Sequence, residues 1–156
     1  MKLNVLYLRD SRSIYGEGGL CGATDRAAGL DLRACFDADA VAAAPGERVA
    51  VPSGIAVEPL PDDGEPPAAG FVYSRSGLGA AKGLTVAQGV GVIDADYRGE
   101  IIVWLLNTSG ETIVVRQGDR IAQLVYHCLP AIRIEECSAL GGTLRGEGGF
   151  GHTGSR

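Results

Sequence analysis

Twenty-four glycines and seven prolines are spread through this chain of 156 residues, and they interrupt it too often for long helices. Glycine costs backbone entropy inside a regular element and proline removes a hydrogen-bond donor, so the ordered segments between them must be short. The apolar residues in those segments read as strands: Leu3–Tyr7, Leu30–Ala34, Glu47–Val51, Gly54–Val57, Gly70–Tyr73, Gly91–Ile93, Ile101–Asn107, Thr112–Val115, Ile121–His127 and Ile132–Cys137. Most are β-branched and bounded by Gly, Pro, Asp or Asn. Many short strands without alternating helices predict an all-β sandwich or jelly roll. One short helix is predicted within Ser74–Gly83, where serines can cap, Ala-Ala-Lys forms the body and glycine closes. The proline-rich piece 59–67 predicts a loop, since proline is excluded from a central strand.

The length suits one domain with a sizeable core, and 46% hydrophobic with 21% charged residues is an ordinary globular balance. The net charge of −5 and the lack of any Lys/Arg run argue against a nucleic-acid polymer as partner. A small anion remains possible, because a few placed arginines and backbone N–H groups suffice. Cys21, Cys35, Cys128 and Cys137 form no C-x-x-C pair, and only His127 and His152 could join them, which disfavours zinc. Buried, reduced thiols are the expectation. The N-terminal Met1–Asp10 is too short and interrupted for a signal peptide, and the aliphatic run Ile101–Leu106 is far below membrane-spanning length. A cytoplasmic protein without membrane contact is expected.

Four segments concentrate chemistry. In Gly89–Asn107 two strands flank Asp94-Ala-Asp-Tyr-Arg-Gly99, which predicts a β-hairpin with two acids, an aromatic and an arginine at its turn. Aspartate is a common turn residue, and most such turns are only solvated; yet Asp94 follows an apolar run directly, where a partly enclosed carboxylate can act as a general base. Arg75-Ser76-Gly77 opens the short helix and offers N–H groups and a guanidinium to phosphate, or else a plain cap with a surface arginine. Gln123 shares a strand face with Ile121 and Val125, as a structural amide or as a ligand contact, the former being commoner. The tail 141–156 holds seven glycines in sixteen residues and cannot pack a core by itself. A plain linker is the usual meaning of such a tail. Here Arg145, Phe150, His152 and Thr153 add groups that can hold phosphate or stack on a base.

Together these segments resemble the five motifs of the trimeric dUTPase family. Ala28-Gly-Leu-Asp-Leu-Arg-Ala34 resembles the first, Ser74-Arg-Ser-Gly-Leu-Gly79 the second and Gly91-Val-Ile-Asp-Ala-Asp-Tyr-Arg-Gly99 the third. Gly118-Asp-Arg-Ile-Ala-Gln-Leu124 resembles the fourth and Arg145-Gly-Glu-Gly-Gly-Phe-Gly-His-Thr-Gly154 the fifth. They stand in the family's order across nearly the whole chain.

The resemblance implies a distorted jelly-roll barrel or sandwich over residues 1–140, with a glycine-rich arm over 141–156 that closes on a neighbour's active site in a homotrimer. It implies hydrolysis of dUTP to dUMP and pyrophosphate, which keeps uracil out of DNA and supplies dUMP for thymidylate synthesis. Mg²⁺ would be held mainly by the three phosphates. Asp94 would deprotonate the attacking water, and Tyr97 would pack on the sugar and leave no room for a 2′-hydroxyl. The backbone of Gly91, Val92, Ile93 and Asp94, faced by Ile102, would pair with uracil. Arg75, Ser76, Gly77 and Gln123 would hold phosphates. Arg145, Gly151, His152 and Thr153 would grip the distal ones while Phe150 covers the base. Asp31 would support the metal's water shell or serve structure alone.

Three departures from the family pattern stand out: Gln88 where asparagine is frequent at a base-contacting position, Ser74 where proline is usual, and a longer 59–67 loop. Two other readings compete. A dCTP deaminase shares the fold, but the complete fifth motif argues against it. A non-catalytic nucleotide sensor is the other, against which the retention of Asp94, Tyr97 and the tail speaks.

Overall fold

A computed structural model describes residues 1–149, and its regular elements are nearly all strands. In chain order they are β1 (Lys2–Tyr7), α1 (Ser11–Ile14), β2 (Leu30–Arg33), β3 (Ala40–Ala43), β4 (Arg48–Pro52), β5 (Ile55–Leu60) and β6 (Ala68–Tyr73). There follow α2 (Ser76–Lys82), β7 (Leu84–Val86), β8 (Gly91–Ile93), β9 (Ile102–Asn107), β10 (Ile113–Arg116) and β11 (Arg120–Cys128). Every pairing is antiparallel. A four-stranded sheet runs β2-β11-β6-β8, a three-stranded one β4-β9-β7, and two ribbons pair β1 with β5 and β3 with β10. This is the all-β jelly-roll class that the punctuated sequence predicts.

The core lies between the two larger sheets. Leu32, Leu84, Ile101, Leu105, Ile121 and Leu124 are fully enclosed; each such burial contributes roughly 1.5–3 kcal/mol relative to exposure. Alternation decides which face turns inward. On β9, Val103, Leu105 and Asn107 are buried while Ile102 and Trp104 are exposed, and on β4 their partners Val51 and Val49 are buried. The one buried amide of this row is satisfied: Asn107 donates to the carbonyls of Ala43 and Glu111 at 2.8 and 2.7 Å and accepts from Ser109. It fastens the β9–β10 turn to β3.

The structure departs from the sequence expectations at several points. The 94–99 segment is not the turn of a hairpin: β8 pairs with β6, β9 with β4 and β7, so the segment crosses from one sheet to the other. Pro59 lies inside β5, facing Leu3 in the two-stranded β1–β5 ribbon, where a strand without one donor is tolerated. The alanine-rich β3 and the three-residue β7 carry too weak a β signal to be read beforehand. Helix α1, a single turn, was likewise not anticipated. Ile132–Cys137 forms no strand within the single chain, and Ile132 and Ile134 stand 80% and 88% exposed. Three of the four cysteines, Cys21, Cys128 and Cys137, are exposed rather than buried; only Cys35 is enclosed, and all are free thiols. The short helix forms, but its N-cap is Arg75, without a side-chain cap bond. Gly83 ends it at φ 79°, the left-handed conformation glycine favours. No helix among the described residues is long and apolar enough to cross a membrane.

Candidate active site

Sheet order, not chain order, assembles the first cluster. Gln123 of β11 stands opposite Asp31 of β2 on one side and Tyr73 of β6 on the other. Cross-strand partners project on the same face, so segments far apart in sequence meet in one row. A register shift in β11 between Arg120 and Ala122 adjusts that row. Asp31 is nearly enclosed and each of its oxygens is paired. Arg75 Nε approaches Oδ1 at 2.9 Å, and Arg120 Nη1 approaches Oδ2 at 3.1 Å. Two cations on one carboxylate fix the Arg75 guanidinium just ahead of α2. Gln123 Nε2 donates to the Ser74 carbonyl at 3.1 Å, and a Cβ on Gly29 would fall 2.7 Å from Gln123 Oε1. That close approach explains the glycine in the first motif. Ser74 Oγ does not cap α2 but accepts from the Val86 N–H at 2.8 Å, tying the helix entry to β7. A serine therefore serves this position without the usual proline. Arg75, Gly77, Lys82 and Arg120 line one cationic hollow, and Ser76 lies exposed at the first turn of α2.

The second cluster occupies a cavity of about 220 Å³ between β8 and β9, opened because these strands belong to different sheets. Gln88, Gly91, Val92, Ile93, Asp94, Tyr97, Glu100 and Ile102 line it. β8 is the edge strand of its sheet, so one row of its backbone groups is not engaged in a ladder. Gly91 keeps that edge close to β6, since an added Cβ would sit 3.3 Å from both Val72 and the Gln88 amide. The turn after β8 closes through Tyr97 N–H to the Asp94 carbonyl at 3.1 Å. Arg98 ties it further, donating to the Ala95 and Tyr97 carbonyls and to Glu58. The Tyr97 hydroxyl donates to the Glu100 carbonyl at 3.0 Å, and the phenol lies so close to Gly99 that a Cβ there would meet its hydroxyl oxygen at 2.3 Å and its Cζ at 2.5 Å. Asp94 itself is exposed. The enclosure expected from its place after an apolar run is not formed: Asp94 directly follows β8, the edge strand of its sheet.

The two hollows share no lining residue. Arg145 is exposed, its Nε donating to the Gly148 carbonyl at 2.8 Å. Phe150, Gly151, His152 and Thr153 lie outside the described residues. Among the described residues no three His, Cys, Asp or Glu side chains gather around a common point. With both oxygens paired to arginine, Asp31 offers no free ligand to a directly bound cation.

The dUTPase family model matches residues 20–154, nearly the whole chain. The chain belongs to the dUTPase family. It is 49% identical over 134 residues to the deoxyuridine 5′-triphosphate nucleotidohydrolase of Desulfitobacterium hafniense, covering 85% of this chain and 84% of that one. Among solved structures, the dUTPase of Staphylococcus bacteriophage 80alpha, determined with dUpNHpp, shares the fold at a TM-score of 0.80 and 22% identity, over 98% of each chain. The dUTPase of phage phi11 of S. aureus, described with a structural Mg(II) ion, matches at a TM-score of 0.72 and 21% identity, over 91% of this chain and all of that one. Family membership makes the chain a nucleotide hydrolase.

Sequence reasoning missed Arg120, whose signal was its place inside the fourth motif beside Gln123. It also missed Glu100 and Arg9, which no motif marks as a pair and only the tertiary fold brings together.

Proposed function

We propose that the protein hydrolyses dUTP to dUMP and pyrophosphate at a composite site between subunits of a homotrimer. The observation that carries this reading is the division of the site residues into two hollows with no shared wall. One offers a strand edge, a tyrosine and a carboxylate; the other offers fixed cations. A single nucleotide needs both. A second copy of the chain brings the arginine hollow of one subunit against the β8–β9 cavity of another. Exposed Val92, Ile102 and Trp104 beside the cavity support such a contact, because apolar groups clustered at a surface favour coverage.

In this reading the backbone of Gly91–Asp94 pairs with the uracil edge, with Ile102 on the opposite wall and Gln88 at its side. The narrow slot excludes thymine by its methyl and cytosine by mismatched donors. Tyr97 covers the sugar and rejects a 2′-hydroxyl. Arg75, Ser76, Gly77 and Gln123 receive phosphates, with Asp31 and Arg120 holding Arg75 in place. Residues 141–156 form an arm whose Arg145, Phe150, Gly151, His152 and Thr153 complete the site and exclude water. Asp94 accepts a proton from a water whose oxygen forms a bond to the α-phosphorus. The bond from that phosphorus to the α,β-bridging oxygen breaks, and pyrophosphate leaves. Mg²⁺ carried by the triphosphate would supply charge neutralisation there.

The same reading places the enzyme in the cytoplasm, where it clears dUTP and supplies dUMP for thymidylate synthesis; free thiols suit a reducing compartment. The test is pyrophosphate release from dUTP, dTTP, dCTP and UTP, each with and without Mg²⁺. Selective release from dUTP is expected. Equal rates on all four would overturn the reading, and ammonia from dCTP would assign a deaminase instead.

A further inference from the structure

Glu100 lines the β8–β9 cavity and looks at first like a second catalytic acid. Its hydrogen bonds say otherwise. Oε2 accepts from Arg9 Nη1 at 3.0 Å, and Oε1 accepts from Arg9 Nη2 at 2.5 Å and from the Gly54 N–H at 2.7 Å. Arg9 Nη2 also donates to the Cys35 carbonyl at 3.1 Å. A carboxylate occupied on both oxygens by a bidentate guanidinium and a backbone donor is poorly placed to exchange protons with a substrate. The Glu100 carboxylate holds the Arg9 guanidinium firmly protonated, well above the usual arginine range.

The backbone at this corner is unusual in the same direction. Arg9 has φ 53° and is the only non-glycine residue with positive φ among the described residues. A side-chain-bearing residue there needs surrounding contacts to hold it. Gly54 has φ 73°, and a Cβ on it would strike Ser11 and Cys35 at 2.4 and 2.6 Å. The end of β1, the β4–β5 turn and the residues after β2 thus converge on Glu100. From Glu100 the link to the cavity is short: its carbonyl accepts the Tyr97 hydroxyl at 3.0 Å.

We propose that the Arg9–Glu100 pair is a positioning device for substrate selection, setting the height of the Tyr97 ring and thereby the rejection of ribonucleotides. The proposal rests on the reading that Tyr97 packs against the sugar. Glu100 side-chain bonds fix its backbone; the backbone carbonyl fixes the phenol; the phenol closes the space a 2′-hydroxyl would need. A loosened ring admits UTP at little cost to dUTP, because the deoxyribose needs only coverage.

The test compares kcat and KM for dUTP and UTP in the wild type, Glu100→Gln, Arg9→Lys, the double variant and Tyr97→Ala, with a melting curve for each. Glu100→Gln keeps the shape and an acceptor for Gly54 but removes the charge; Arg9→Lys keeps the charge but not the fork. The ratio of kcat/KM for dUTP over UTP should fall on the order of tenfold in each single variant, mainly through faster UTP turnover. The double variant should fall no further, because the two residues act as one unit. Equal loss on both substrates, or an unchanged ratio in folded variants, would reduce the pair to a structural tie and overturn the proposal. Should Glu100→Gln fail to fold, Arg9→Lys decides, since that side chain is 40% exposed. A ratio that stays high in Tyr97→Ala would remove the sugar-packing reading itself. A drop there without one in the Arg9 and Glu100 variants would remove only the positioning role.

Discussion

The two hollows are built on opposite plans. Around Asp31 the side chains satisfy one another: a nearly enclosed carboxylate pairs with Arg75 and Arg120, and Gln123 is tied to the Ser74 carbonyl. Around Asp94 the carboxylate and the β8 edge are left open, while the turn is held by backbone bonds, by Arg98 and by the Tyr97 hydroxyl. The contrast follows from the chemistry each half would perform. Gripping a polyanion needs cations whose position is set before the ligand arrives, since ordering them on binding would cost entropy. Recognising a base edge and activating water needs groups not already spoken for.

Four experiments test that contrast, in descending order of effect. Replacing Asp94 by Asn keeps the shape of the open half but removes its base. Turnover of dUTP should fall by roughly 10²–10⁴-fold, while dUTP binding measured by calorimetry changes little. Normal turnover would end the assignment. Deleting residues 145–156 should lower kcat/KM by on the order of 10²-fold through loss of closure, with the oligomer, read by sedimentation, intact. A truncated enzyme as active as the full chain would rule out the arm.

Asp31→Asn strikes the pre-satisfied half. It leaves Arg75 and Arg120 facing each other without their counter-charge. We expect a loss on the order of 1–3 kcal/mol of stability in denaturant titration, the lower end being favoured by the solvent around Arg120. A rise in KM for dUTP of about tenfold should accompany it. An unaltered KM would mean that the pairing does not preset Arg75.

The smallest effect tests the frame behind both halves. Buried Tyr15 donates to the Ser53 carbonyl at 2.9 Å and accepts from the Arg33 N–H at 3.1 Å. Desolvation pushes its phenol up to about 12. A raised folded-state value means that the neutral phenol is favoured by folding. Its contribution is complete below the unfolded value near 10 and is lost as pH climbs towards 12. Tyr15→Phe should cost about 1 kcal/mol at neutral pH and flatten the fall in melting temperature across that alkaline window. A variant that melts with the same alkaline slope as the wild type would place the titration elsewhere.

Much of this molecule was legible before folding. Glycine and proline spacing implied short strands, among them Glu47–Val51 and Ile101–Asn107, and the Ala-Ala-Lys-Gly83 ending implied a short helix. The motif residues were legible as well, by type and order. Pairing was not. Residues 94–99 look like a hairpin turn because two strands flank them, and nothing local records that those strands belong to different sheets. Ile132–Cys137 looks like a strand because a strand pattern is a property of one segment, whereas a ladder needs two.

The sequence by itself determined the strand class of the fold, the family and the chemical inventory, because local backbone preference and residue identity are written residue by residue. Tertiary structure alone decided that Asp31 would spend its charge on two arginines and that β8 and β9 would part to leave a cavity. It also decided that Arg9 would reach across 91 positions to Glu100. These are contacts between distant segments, and they depend on the register and sheet order in which the strands meet.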